Sequence, residues 1–186
     1  MKRARILIAL AALLLTSATP AEQTERNSQN EQSHFSSEQD VLPVSRPLAP
    51  PEEVMKSLRG DPLVLDTSRS CRKSANVSAE EIPASWFIAS AIHLDGPNEE
   101  DLVILPKNQC MNGANTGPFW IARKESMGYA VILSTGGNDL LILRSEHKGH
   151  SDVQVLTHLA DKVTTVTFEF DGQNYKRRSA TTRAAD

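Results

Sequence analysis

The chain has 186 residues, with 20 Lys and Arg against 23 Asp and Glu and a net charge of −3. That balance argues against a nucleic-acid binder of the ordinary kind, which turns a basic footprint toward phosphates. The length suits one domain with a sizeable core.

Residues 1–21 read as a secretory signal peptide. Lys2, Arg3 and Arg5 precede a ten-residue apolar run from Ile6 to Leu15, and small residues follow from Ser17 to Ala21. Cleavage is expected after Ala21, or alternatively after Ala18. The run falls short of a membrane span, which needs about 20 residues. Losing three positive charges with the leader moves the net charge from −3 to −6 and leaves about 165 residues. The expected destination is periplasmic or extracellular.

Residues 22–51 read as a disordered linker. Gln, Glu, Asn and Ser dominate, Pro43, Pro47, Pro50 and Pro51 crowd its end, and few large apolar residues offset the entropy of ordering. Glu52 to Arg59 then predicts one short helix. Its acidic start and basic end suit the helix dipole, and Gly60 and Pro62 end it. Val54, Leu58 and Met55 would turn one face toward a sheet.

From Leu63 onward the pattern reads as extended. Strands are expected at 86–94, 102–105, 119–123, 129–134, 140–143, 153–159 and 163–170, with Tyr175 on a last one. Gly96, Gly113, Gly136, Gly149 and Gly172 punctuate them in the manner of hairpin turns. Val166, Phe168 and Phe170 should face a core, with Thr165, Thr167 and Glu169 opposite. The fold class is therefore mostly β: an antiparallel meander, sandwich or small barrel over residues 52–180, followed by a disordered tail at 181–186, with Lys176, Arg177, Arg178 and Arg183 making the C-terminus locally basic. Cys71 and Cys110 are the only cysteines, and in an oxidising compartment they are expected to pair. A metal or redox pair is the alternative, without C-x-x-C spacing to support it.

Asp95-Gly96-Pro97-Asn98-Glu99-Glu100-Asp101-Leu102-Val103-Ile104 resembles a degenerate FG-GAP or VCBS-type loop. The resemblance implies a strand, a turn and a second strand, and in intact repeats a bound calcium. Here only Asp95 and Asp101 match, while His93 and Pro97 stand where the family carries oxygen ligands. More broadly, residues 86–175 are similar to small, uncharacterised secreted bacterial β domains, which implies export and no particular activity.

Two constellations could carry function. His147, His150 and Asp152 have the residue types for zinc on one loop, or else form a polar hairpin. The Asn112–Pro118 stretch before Phe119-Trp120 is either a tight turn or a recognition loop, with Asn115 and Trp120 as partner-binding candidates. Ser134-Thr135-Gly136-Gly137 lacks the nucleophile-elbow pattern. No catalytic residues are assigned, and no cofactor is expected beyond zinc or calcium at these places. The expectation is an exported, non-catalytic binding module recognising a protein or a cell-envelope polymer through loops. The alternative is a secreted metal-dependent hydrolase using His147, His150 and Asp152.

Overall fold

The computed structural model describes residues 33–37, 47–96, 100–113 and 116–185. Among them, three short helices and nine strands stack as three layers: helices, a four-stranded sheet and a five-stranded sheet. The helices are α1 (Glu52–Arg59), α2 (Pro62–Thr67) and α3 (Arg69–Ala75). The first sheet runs β2 (Phe87–Ile92), β3 (Asp101–Pro106), β4 (Gly117–Glu125), β5 (Gly128–Gly137). The second has the order β1-β6-β7-β8-β9. Its strands are β1 (His34–Ser36), β6 (Asp139–His147), β7 (His150–Leu159), β8 (Lys162–Phe170) and β9 (Tyr175–Ala184). Every pairing is antiparallel. The mostly-β expectation therefore holds.

Alternation along each strand decides which layer a side chain enters. Leu102, Ile104, Trp120 and Ala122 point from the four-stranded sheet to the helices, where they meet Val54, Met55, Leu58, Val64 and Ile82. Val103, Leu105, Phe119 and Ile121 point the other way, onto Leu140, Ile142, Val153 and Val155 of the second sheet. Both faces of β3 and β4 are covered, so these strands carry continuous apolar runs, as doubly buried strands do. The second sheet has one dry face only.

α1 spans the residues expected of it, and its Val54, Met55 and Leu58 are fully buried. The extended reading from Leu63 onward is corrected: residues 62–75 form α2 and α3. Pro62 starts a helix instead of blocking one, because it sits at the first helical position, where its missing N–H is not needed. The disulfide Cys71–Cys110 joins α3 to the turn after β3, with Cα atoms 5.7 Å apart.

The folded body also begins earlier than residue 52 and ends later than 180. Phe35 of β1, 5% exposed, packs between the sheets while its backbone pairs with Leu140. Leu48 bridges Ala89 on the outer side of β2. A single apolar anchor in a polar stretch, Phe35, is enough to recruit three residues to a sheet edge. At the other end, β9 continues to Ala184 because β8 offers a ladder of matching length. The leader reading of residues 1–21 lies outside the described residues.

Gly136 to Asp139 is a corner between sheets, not a hairpin. β5 passes into β6 through Asn138, whose N–H donates to Leu156 O at 2.7 Å and whose Oδ1 accepts the His158 N–H at 2.7 Å. Gly137 is required here, since a methyl group would sit 2.4 Å from Val155 Cγ1 and 2.7 Å from Leu156 O.

Candidate functional site

The β6–β7 hairpin turns through Lys148 and Gly149, both with positive φ (49° and 81°), which is the geometry of a two-residue primed turn. His147 and His150 face each other across it. Beyond the turn the register slips, so that β6 carries Leu143, Arg144 and Ser145 opposite the single residue Asp152. The extra residues bring two donors onto one buried carboxylate. Ser145 Oγ donates to Asp152 Oδ2 at 2.6 Å, and His147 Nδ1 lies 2.7 Å from Oδ1. The half-exposed His147 ring turns its Nε2 to Glu169 Oε1, 3.5 Å away, and Arg178 Nε lies 3.6 Å from that same oxygen.

This arrangement is an imidazole oriented by a carboxylate, one half of a hydrolytic triad. The other half is not assembled. In a triad the imidazole stands between acid and serine, whereas here Asp152 stands between serine and imidazole. Glu169 occupies the place where a nucleophile would be.

His150 goes elsewhere. Its ring stacks on Phe170 with centroids 3.9 Å apart, and its Nε2 is 3.9 Å from Asp95 Oδ2. Neither ring nitrogen has a hydrogen-bond partner among the described residues. Asp101, fully buried at the start of β3, accepts the Lys124 N–H at 2.8 Å. Burial pushes its carboxyl above the ordinary range; the bond from Lys124 and the nearby His150 pull it down, and the Asp95 charge adds to the rise. Tyr175 OH donates to Ser151 O at 2.6 Å. Burial, then the charges of Asp101, Asp152 and Asp95, hold its hydroxyl protonated far above the usual range.

The three residues expected to share a zinc ion thus separate: His147 and Asp152 bond to each other, and His150 stacks away from them toward Asp95. Among the described residues no group of three or more His, Cys, Asp or Glu side chains is placed to hold a metal ion. In the loop that resembles a calcium repeat, Asp95 and Asp101 do lie close enough to influence each other, while residues 97–99 lie outside the described residues.

The second constellation resolves around a residue that motif reading passed over. Asp61 Oδ1 accepts the Leu63 and Val64 N–H groups at 3.0 and 3.1 Å, and the Trp120 Nε1–H at 3.0 Å. Its Oδ2 accepts Ser134 Oγ–H at 2.6 Å. One carboxylate caps α2 and ties it to β4 and β5. Trp120 is fully buried and meets Phe87 edge to face at 5.7 Å. Its role as a surface contact is corrected: position 120 alternates toward the helix layer. Asn115 lies outside the described residues. A signal for Asp61 was present in Asp61-Pro62, the signature of a capping acid before a first-turn proline. Ser145 and Glu169 carry no local signal, since a register slip in β6 brings the one to the cluster and the neighbouring strand β8 brings the other.

On the helix layer, an open cleft of about 610 Å³ is lined by Arg69, Arg72, Lys73, Asn76, Val77, Ser78 and Glu81. Arg72 is fixed there by bonds to Ser68 Oγ at 3.1 Å and Leu65 O at 3.2 Å. No protein family, curated protein or solved structure matches this chain.

Proposed function

We propose that the chain is an exported, non-catalytic binding module that recognises a protein or a cell-envelope polymer through exposed loops and strands. One observation carries the reading: the polar side chains best suited to chemistry are engaged in structural bonds, between helix layer and sheet at Asp61 and between neighbouring strands at Asp152. Trp120 and Ser134 are held by Asp61, and Ser145 and His147 by Asp152. The disulfide fits an oxidising compartment, and among the described residues no helix is long and apolar enough to cross a membrane.

The test is retention of the disulfide-bonded protein's partner from an envelope extract, run beside isothermal titration with zinc. The expected result is a specific partner that survives His147→Ala and His150→Gln, with no zinc uptake at micromolar metal. Stoichiometric zinc binding, or hydrolysis of an envelope polymer abolished by His147→Ala, would overturn the module in favour of the hydrolase.

A further inference from the structure

Two of the sandwich's sheet edges are short or partly covered. β1 is only three residues long, and the outer side of β2 is met by Leu48. The Leu48 N–H donates to Ala89 O at 2.8 Å, and its carbonyl accepts the Ala89 N–H at 2.9 Å. β9 is managed differently. It is ten residues long, nine of them exposed, and among the described residues it pairs with β8 alone.

The direction of its free backbone groups follows from one bond. Ala185 N–H donates to Asp161 O at 2.7 Å. Along an antiparallel ladder such bonded pairs alternate with pairs whose N–H and C=O point away from the partner. In the register of β8 and β9, Thr181 and Arg183 therefore bond to β8, and Ala180, Thr182 and Ala184 turn theirs outward. Thr164 Oγ1 and Thr182 Oγ1 meet at 3.0 Å, which suits a non-hydrogen-bonded pair, where facing side chains come closest. Ser179, Ala180, Thr181 and Thr182 are small, and no proline interrupts the strand.

Charge selects what can pair there. β9 carries Lys176, Arg177, Arg178 and Arg183 and no acid, within a chain of net charge −3. A second copy paired antiparallel about Ala180 would set Arg183 opposite Arg177, and like charges directly opposed are destabilising. An acidic strand meets the opposite condition. We propose that β9 is a docking edge for an extended, acidic segment of a partner protein, which adds to the sheet as a sixth strand.

This proposal rests on the binding-module reading and deepens it. The experiment uses the full disulfide-bonded chain and a ten-residue probe peptide alternating Glu with Val or Thr. Its controls are a Lys-for-Glu version and a version N-methylated at alternate residues. The acidic probe should bind and slow amide exchange at Ala180, Thr182 and Ala184, with affinity falling roughly tenfold in about 0.5 M salt. The N-methylated probe should not bind. Ala180→Pro removes an outward N–H and should abolish binding while leaving the melting temperature in place. Arg177→Glu with Arg183→Glu, which leaves the backbone untouched, should switch preference to the Lys probe. Equal binding of both charge types, or of neither, overturns the proposal. Protection of the same amides that grows with protein concentration alone overturns it in favour of self-association. An envelope partner that is retained while β9 exchanges freely ends this proposal and leaves the binding module standing.

Discussion

Replacing Asp61 by Ala should loosen the joint between helices and sheet more than any other single exposed or half-exposed substitution. Losing a side-chain cap costs about 1 kcal/mol. The Trp120 Nε1–H sits in a dry layer with Asp61 as its partner, and leaving such a donor without an acceptor costs about 1–3 kcal/mol. Ser134 is exposed, so its hydroxyl turns to water at little cost. The sum is about 2–4 kcal/mol, or a fall in Tm of roughly 4–16 °C at about 2–4 °C per kcal/mol for a protein of this size. Urea unfolding followed by tryptophan fluorescence measures it. Asp61→Asn is the informative control: its carbonyl can keep all three N–H bonds, and Ser134 can rotate to accept from its amide, so the loss should stay under about 1 kcal/mol. A cycle with Trp120→Phe should return a coupling of about 1–2 kcal/mol. The reasoning fails if Asp61→Ala loses less than about 1 kcal/mol, or if Asn is as damaging as Ala.

Gly137→Ala places a methyl group 2.4 Å from Val155 Cγ1 and 2.7 Å from a backbone oxygen, and should destabilise by about 1–3 kcal/mol in chemical denaturation; a neutral result would mean the corner is pliable. Thiol titration of the folded protein should find no free thiol, and reduction should cost about 4 kcal/mol for a bridge spanning 39 residues. Two reactive thiols in the native protein would contradict this. Asp101→Asn should raise Tm near neutral pH. Burial raises the folded carboxyl's pKa above 3.8, so folded Asp101 holds its proton where the unfolded chain has released it. Stability therefore falls as pH climbs from about 3.8 to the folded value and stays lower above it. Wild-type and variant curves should converge below that range; a gap that persists at pH 3 would refute the cause.

Much of the architecture was legible because alternation and turn residues report faces directly. β7 and β8, with the Lys148-Gly149 and Asp171-Gly172 turns, follow from local pattern alone, and the cysteine pairing from compartment. What was hidden had non-local causes. α2 and α3 are short, and with one buried residue each, Val64 and Cys71, they show no helical period. β1 rests on one phenylalanine. The clusters around Asp61 and Asp152 depend on a cap reaching across layers and on extra residues in β6, neither of which leaves a spacing signature. Trp120 shows the risk in composition: beside a Gly- and Asn-rich loop it reads as a recognition residue, and alternation sends it inward.

Strand order gives the N-terminal segment a particular leverage. β2 to β5 complete one sheet before β6 to β9 begin the other, so each can assemble as a sequential meander with short loops to close. β1 alone breaks that order, binding residues 34–36 to β6 more than a hundred positions later. Proteolytic trimming before residue 33 spares this late stitch. A cut just after residue 37 removes it, strips Phe35 from between the sheets and bares β6 as a fresh adhesive border.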